Sequence, residues 1–224
     1  MSRPPDTRRI EELTLNSSAP PGQLLYDGWI LRLLRGKAKR ARSVNAVYAS
    51  TVPLEQKIAY CERLYRDAAL PVLFRVTPFS QPQDLDGELE RRGFARFDPT
   101  AVELAPIDRG LLGEPEAQPM DLSSWVEAVG QLRQSPIAHR SAHLARLQGM
   151  PLAMRAVAVK SQGRVLATGL AILEDDCVGL FDIITADEAR RQGHAKRIVA
   201  SLLRIAWDLG ARHAYLQVQE DNVA

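Results

Sequence analysis

The chain contains 224 residues, of which 46% are hydrophobic and 25% are charged, and its formal net charge at pH 7 is +2. This balance excludes a disordered or collagen-like chain, and the lack of any uncharged apolar run of about 18 residues excludes a membrane-spanning helix. The two cysteines, Cys61 and Cys177, and the polar N-terminal residues predict a soluble cytoplasmic protein without a disulfide framework.

The first segment, residues 1–105, is predicted to alternate strands and helices. The predicted strands cover Trp29–Leu34, Ser43–Ala49, Pro71–Thr77 and Phe97–Leu104. A helix is predicted from Pro53 to Asp67, where apolar residues recur with helical spacing, and a shorter one over Asp84–Arg92, which Gly93 can end. The segment is therefore predicted to be a small α/β unit.

Residues 106–120 are rich in proline and glycine and lack periodicity, so we predict a linker there. The second segment, residues 121–224, is predicted to contain two helices, three strands, a long amphipathic helix and a last strand. Its first two helices begin at Asp121 and Pro136. The strands cover Ala153–Lys160, Val165–Leu173, Val178–Thr185 and Ala214–Gln219. This order predicts helices packed on a mixed sheet.

The turn before the long helix carries the most chemical information. It is basic, through Arg190, Arg191 and Lys196, and it contains Gly193, which lets the backbone approach an anion closely. The first turn of a helix leaves backbone N–H groups without partners at the positive end of the helix dipole. The sequence therefore predicts a phosphate or pyrophosphate site, against the simpler interpretation of a solvated basic turn.

The spacing Arg190-x-x-Gly193-x-Ala195, set between a strand and a helix, resembles the acetyl-CoA signature of the GCN5-related N-acetyltransferases (GNAT). The resemblance covers about residues 120–224. It implies a GNAT-like α/β fold, with a mixed, mostly antiparallel sheet flanked by helices, and direct transfer of acetyl from acetyl-CoA to an amine. The acceptor stays open between a small molecule, an antibiotic and a protein N-terminus.

The resemblance also implies where acetyl-CoA binds. In the family, two strands splay apart at the signature and the pantetheine arm lies between them, so the backbone of Ile183, Ile184 and Thr185 is expected to bond its amides. Asn222 is expected to contact the cosubstrate too. The pyrophosphate is expected on the backbone N–H groups of Arg191, Gln192, Gly193, His194, Ala195 and Lys196.

The catalytic base and acid are not identified by the resemblance. The family's usual continuation, with the tyrosine that commonly protonates the thiolate, does not follow Asn222, so either the chain is truncated or another segment or chain supplies the missing strands. Gln217 stands where related enzymes carry a glutamate base, and an amide cannot act as a base. Asp182 and Glu220 are the remaining candidates. A non-catalytic module that binds acyl-CoA is therefore the alternative function.

Residues 89–94 (LERRGF) also look like a family motif, so the first segment resembles a second, degenerate GNAT copy. No glycine signature lies between Tyr48 and the helix that begins near Pro53, and we predict no cosubstrate there. The second segment lacks the strands that normally complete its sheet. We expect the first segment, or a second copy of the chain in a homodimer, to cover the open sheet edge.

Other candidate sites are weaker. His139 and His143 stand one turn apart on a predicted helix, but no further ligands accompany them, so we predict no metal. The basic run of residues 35–42 has no interleaved aromatic residue, which favours a solvated loop over a nucleic-acid site. We therefore expect an amine acceptor as the partner, and neither nucleic acid nor a membrane.

Overall fold

The structure, a computed structural model, describes residues 4–36 and 38–219, which form two compact units. The large unit comprises residues 4–17, 99–144 and 151–219, and the small unit comprises residues 18–98 and 145–150. Within these described residues, no helix is long and apolar enough to cross a membrane.

The elements are numbered in chain order. The helices are α1 (Thr7–Ser17), α2 (Leu54–Asp67), α3 (Leu85–Arg91), α4 (Leu122–Leu132), α5 (Ile137–Gln148) and α6 (His194–Asp208). The strands are β1 (Gln23–Tyr26), β2 (Trp29–Arg32), β3 (Val44–Ala46), β4 (Phe74–Arg75), β5 (Thr100–Pro106), β6 (Gln118–Met120), β7 (Ala153–Ser161), β8 (Arg164–Glu174), β9 (Cys177–Thr185) and β10 (His213–Gln219).

The large unit is built on a six-stranded sheet in the order β5-β10-β9-β8-β7-β6. Only the β10–β9 pair is parallel; the other pairs are antiparallel. Helix α6 packs on this sheet through Ile198, Leu202 and Ala206, which are fully buried in its core. The predicted mixed, mostly antiparallel sheet with flanking helices is therefore confirmed.

The small unit is a four-stranded sheet in the order β1-β2-β3-β4, in which β3 and β4 are parallel. Helix α2 joins these two strands and packs its apolar face into the core through Ile58, Cys61 and Tyr65. The strands are shorter than their sequence patterns: residues 71–77 contribute only Phe74–Arg75 to the sheet. The suggestion that this segment is a degenerate GNAT copy stays a prediction.

The compact units do not coincide with the predicted segments. Strand β5, which we assigned to the first segment, pairs with β10 from Thr100↔Gln219 to Pro106↔His213 and covers that edge of the large sheet. Residues 106–120, predicted to be a linker, include strand β6 and bury Ile107 and Ala117 in the core of the large unit. Their prolines misled the prediction, because β5 and β6 are edge strands, where a missing N–H is tolerated.

Helix boundaries follow local chemistry. Asp121 caps α4, since its carboxylate accepts a hydrogen bond from the N–H of Ser124 at 2.9 Å. The hydrogen bond from the Ser123 hydroxyl, followed by that from the Ser124 N–H, holds the pKa of Asp121 well below its usual range. Gly93, at φ +84°, follows the end of α3 as predicted. Helix α6 ends at Asp208, so Leu209 lies beyond it and is exposed.

Candidate functional site

The central feature of the large unit is a split between two parallel strands. Strands β9 and β10 pair only from Cys177↔His213 to Leu180↔Leu216. Beyond that point β9 continues to Thr185 beside β8, and β10 continues to Gln219 beside β5. Because β9 stays paired with β8 and β10 stays paired with β5, both strands remain regular where they separate from each other. We call this gap the strand split.

A local irregularity in β9 accounts for the divergence. The β8–β9 register shifts between Thr168 and Leu170, and Asp182 on the opposite strand has φ +49°, which is the signature of a bulge. Helix α6 lies very close at this level, since a Cβ on Gly169 would come within 2.3 Å of Ile198 Cγ2. The bulge bends β9 away from β10, and only a glycine leaves room for the helix.

The predicted pantetheine residues lie in the split. Ile183, Ile184 and Thr185 are the last three residues of β9. On the β8 side, Ile184 pairs with Thr168 and Thr185 pairs with Ala167. On the other side these residues have no strand partner among the described residues. Their free edge can accept an extended molecule that carries amides, in the way that a peptide adds to a sheet edge.

Gln217 follows Leu216, which is the last residue of β10 that pairs with β9. Both polar atoms of its side chain are buried, and neither has a hydrogen-bond partner among the described residues. Buried amide groups are rarely left unpaired, because each costs the free energy of its lost hydration. This side chain therefore fits a site that receives a polar ligand in the strand split.

The predicted phosphate loop follows β9 after a short 3-10 turn at Asp187–Ala189. Gly193 precedes α6 with φ +79°, and Arg191 has φ +60°. The first backbone bond of the helix is donated by Arg197 to the carbonyl of Gly193. In the described part of the chain, the N–H groups of residues 191–196 make no hydrogen bond, and no atom lies within 4 Å of a Cβ built on Gly193. These donors face open space at the start of a helix.

The charges of the loop are partly neutralised. Arg190 pairs with Asp187 at 2.8 Å, and Arg197 pairs with Glu116 at 3.2 Å. Arg191 and Lys196 are exposed and have no ion pair with any described residue. These two side chains therefore supply the positive charge that an anion at this helix N-terminus would meet. His194 is 7% exposed, so its imidazole is packed inside and only its backbone faces the loop.

The candidate base Asp182 lies on β9 beside the split, but its carboxylate is engaged. Arg133 Nη2 is 2.7 Å from one of its oxygens, and His143 Nε2 is 3.5 Å from the other. The His143 ring also meets Trp125 edge-on, with centroids 5.8 Å apart. This His143–Asp182 contact was not expected from the sequence, although an acid inside the apolar run of β9 was a signal that the position is special.

Two predicted residues lie outside the described part of the chain. They are Asn222, expected to contact the cosubstrate, and Glu220, a candidate base. The predictions for both stay as they were made. The structure does bring together the other predicted groups, since Ile183–Thr185 and the loop of residues 191–196 follow one another from the open end of β9 to the start of α6.

Known proteins are similar to this chain in sequence and in fold. Residues 5–224 match the family described as "Probable histone acetyltransferase Rv0428c C-terminal". The uncharacterized N-acetyltransferase YobR of Bacillus subtilis (strain 168) is 26% identical over 231 residues, which span 98% of this chain and 90% of YobR.

Two solved structures show the same fold at low sequence identity. A GCN5-related N-acetyltransferase from Kribbella flavida superposes with a TM-score of 0.62 at 14% identity, covering 96% of this chain and 86% of that one. Another, from Sphaerobacter thermophilus, gives a TM-score of 0.55 at 15% identity, covering 76% and 60%. The resemblance to the GNAT superfamily is therefore confirmed. The chain belongs to the family of the Rv0428c C-terminal region and is an N-acetyltransferase of the GNAT superfamily.

Proposed function

We propose that this acetyl-CoA-dependent N-acetyltransferase holds the pantetheine arm of acetyl-CoA in the strand split and its pyrophosphate on residues 191–196. The observation that carries the proposal is the continuity of the two features. The strand whose edge is free at Ile183–Thr185 leads, through a short 3-10 turn at Asp187–Ala189, into the loop whose N–H groups have no partners among the described residues. An extended amide-bearing arm that ends in phosphates matches this order of sites.

The loop binds the pyrophosphate by four effects that act together. Backbone N–H groups of the first turn of α6 donate hydrogen bonds, and the helix dipole favours negative charge there. Gly193 supplies the left-handed backbone that turns these donors toward one point. Arg191 and Lys196 add charge that no carboxylate of the described chain neutralises.

In the strand split, the free backbone edge of β9 bonds the amides of the arm and fixes its direction. Gln217 lies on β10 one residue past the last β9–β10 pair, and its buried amide is the group that we expect to bond the arm. This contact gives the side chain the partner that it lacks among the described residues. The thioester then lies near the bulge at Asp182.

Acetyl-CoA supplies a thioester carbonyl, which an unprotonated amine attacks. We assign His143 as the base: its Nε2 lies 3.5 Å from Asp182 Oδ2 at the bulge, so its Nδ1 is the nitrogen that takes the proton from the amine. Asp182, held by Arg133 at 2.7 Å, orients the imidazole and stabilises its protonated form. The proton taken from the amine then becomes available to the departing thiolate. The acceptor we propose is an amine of a small molecule or a peptide.

The experiment has two parts on the full chain. Calorimetry with acetyl-CoA is expected to show binding with one site, together with a raised melting temperature. Free-CoA release is then measured with a panel of small amines and with a lysine-rich peptide, which is the first acceptor to test given the description of the matched family. No heat and no thermal shift at millimolar acetyl-CoA would refute the proposed site. Binding without turnover on any amine would favour the non-catalytic alternative.

The proposed base has a matched control on the same helix. His143→Asn is expected to lower kcat at least about tenfold with little change in acetyl-CoA affinity. His139→Asn removes a histidine one turn away, which has no contact with Asp182 in the described structure, and should leave kcat within about twofold. Equal losses in both variants would contradict the role of His143.

A further inference from the structure

Three potential metal ligands lie together at the closed end of the β9–β10 pair. Cys177 and His213 are the first paired residues of these parallel strands, so their side chains lie on the same face of the sheet. Asp176 precedes Cys177 in the β8–β9 turn. The backbone carbonyl of Asp176 accepts hydrogen bonds from the N–H groups of Arg212 at 2.7 Å and of His213 at 3.1 Å, which fixes the turn against β10.

The distances among the three side chains fit one tetrahedral ion. His213 Nδ1 lies 3.5 Å from Asp176 Oδ2, and Cys177 Sγ lies 3.5 Å from Asp176 Oδ1. All three ligand atoms lie within 4.8 Å of one another. Zinc bonds of about 2.0–2.3 Å in tetrahedral geometry place neighbouring ligand atoms about 3.3–3.6 Å apart. Small side-chain adjustments would therefore bring all three onto one ion.

Burial supports a ligand at this place. His213 is 5% exposed and its Nδ1 has no hydrogen-bond partner among the described residues, while Cys177 is 3% exposed. The Asp176 side chain is 36% exposed, so the cluster has one open side toward solvent. Three buried or half-buried donors thus converge and leave room for a fourth ligand from water.

We propose that Asp176, Cys177 and His213 form a zinc site whose fourth ligand is a water molecule. One thiolate, one imidazole and one carboxylate are the donors that zinc prefers, whereas magnesium and calcium require oxygen ligands alone. On binding, Zn²⁺ displaces the thiol proton of Cys177 to solvent, and the imidazole binds in its neutral form. Our sequence prediction of no metal considered only the two helical histidines and did not anticipate these strand residues.

The position of the site predicts a structural role. The last paired residues, Leu180 and Leu216, lie about 10 Å further along the strands at about 3.3 Å per residue, and the strand split begins only after them. The ion would join the two strands at their closed end and touch neither the phosphate loop nor the split. Its loss should therefore lower stability more than acetyl-CoA affinity, and the site does not depend on the proposed cosubstrate site.

Titration of the full chain with Co²⁺, in the absence of CoA, tests the proposal, because cobalt reports a thiolate ligand by its charge-transfer absorption. We expect one equivalent of Co²⁺ to give this absorption and an equal amount of Zn²⁺ to displace it. Cys177→Ser should abolish the absorption, and His213→Gln should weaken binding at least about 100-fold. Cys61→Ser is the matched control: Cys61 is buried in the small unit and should leave the spectrum unchanged.

Circular dichroism and acetyl-CoA calorimetry establish that each variant is folded. If Cys177→Ser does not fold, His213→Gln and the wild-type stoichiometry decide the question. The proposal is overturned if the wild-type chain shows no thiolate absorption with Co²⁺. It is equally overturned if binding is far below one equivalent, or if folded Cys177→Ser or His213→Gln binds Co²⁺ as tightly as the wild type.

Discussion

Both units contain the same connection, in which a strand leads through a helix to a parallel strand, but they treat the start of the helix differently. In the large unit the connection is β9–α6–β10, and in the small unit it is β3–α2–β4. Each helix opens with the same backbone bond, from Arg197 to Gly193 in one and from Lys57 to Pro53 in the other, both at 3.1 Å.

The difference lies in what the N–H groups before the helix bind. In the small unit the carboxylate of Asp27 accepts hydrogen bonds from the N–H groups of Thr51 at 3.0 Å and Val52 at 2.8 Å. These bonds lower the pKa of Asp27 to about 2. In the large unit the N–H groups of residues 191–196 have no such partner within the described chain. One loop carries its own anion, and the other is available to a ligand.

This contrast explains why a shared connection does not imply a shared ligand. Lys57 completes the arrangement in the small unit, since its buried ammonium donates to the carbonyl of Asp27 at 2.5 Å and contacts Ser50. The corresponding basic groups of the large unit, Arg191 and Lys196, are exposed and unpaired among the described residues. The prediction that the first segment holds no cosubstrate was made from its lack of a glycine signature, and the variants below test it.

The largest expected effect is on Gly193. Gly193→Val should weaken acetyl-CoA binding at least about 30-fold, or about 2 kcal/mol, because a branched side chain disfavours the left-handed backbone at φ +79° and fills the space before the N–H groups. Calorimetry measures the change. Gly93→Val, at φ +84° and equally open in the small unit, is the control. It should cost similar folding stability, about 1–2 kcal/mol, yet leave affinity unchanged.

If both glycine variants lost affinity to the same degree, the loss would come from general destabilisation and the comparison of the two units would fail. Affinity of Gly193→Val within about threefold of the wild type would show that no phosphate approaches this backbone.

The two lysines should separate stability from binding. Lys57→Met removes a buried ammonium and its hydrogen bonds, and should lower the free energy of unfolding by about 2 kcal/mol with acetyl-CoA affinity unchanged. Lys196→Met should weaken acetyl-CoA about five- to tenfold, more at low salt, and change stability by less than about 0.5 kcal/mol. Urea unfolding and calorimetry give the two quantities. If Lys57→Met weakened acetyl-CoA binding and Lys196→Met lowered stability instead, the cosubstrate would be assigned to the wrong loop.

We expect the side chain of Gln217 to lower the stability of the free protein while it strengthens acetyl-CoA binding. Gln217→Met replaces a buried amide that has no partner among the described residues by an apolar chain of similar length. The free protein should therefore gain about 1 kcal/mol, while acetyl-CoA binds more weakly. Asn45→Leu is the comparison in the small unit. Its Oδ1 also has no partner among the described residues, but its Nδ2 donates to the carbonyl of Ser43 at 3.0 Å. This replacement removes that bond and should destabilise. Thermal unfolding distinguishes the signs, and a destabilised Gln217→Met would contradict an unpaired amide.

Sequence reasoning identified the elements around the proposed site because their patterns are local. The patterns that predicted β9, the long amphipathic helix and the basic glycine turn each lie within one short stretch of sequence. The proposed ligand residues 183–185 and 191–196 follow from that order and from the family resemblance. Their contacts with acetyl-CoA stay a prediction.

These local patterns could not predict which strands pair or which side chains meet when they are far apart in the sequence. Nothing local in β5 shows that it completes the sheet beside β10, and helix α1, whose Leu13 carbonyl accepts a hydrogen bond from the Tyr215 hydroxyl at 3.2 Å, was not predicted. The His143–Asp182 contact and the carboxylate of Asp27 on the Thr51 N–H likewise join residues far apart in the chain. Their partners become visible only when the strands are placed.

The smallest expected effect concerns the internal anion of the small unit and its dependence on pH. The pKa of Asp27 is lowered from 3.8 to about 2, first by the N–H of Val52 and then by that of Thr51. A group with a lowered pKa in the folded state stabilises the fold above its unfolded pKa, and this contribution disappears as the pH falls through the folded value. The contribution of Asp27 should therefore be complete above about pH 4 and lost by about pH 2.

Asp27→Asn tests this dependence, because an amide keeps the size of the side chain but carries no charge. The variant should be slightly less stable than the wild type at pH 7, and the difference should shrink as the pH falls from about 4 to about 2. Urea unfolding at several pH values measures it, and acetyl-CoA affinity at pH 7 should not change. A difference that stays constant over this range would show that the carboxylate charge does not hold the loop. Weakened acetyl-CoA binding would show instead that the loop before α2 contributes to the cosubstrate site, and the contrast between the two helix starts would then be wrong.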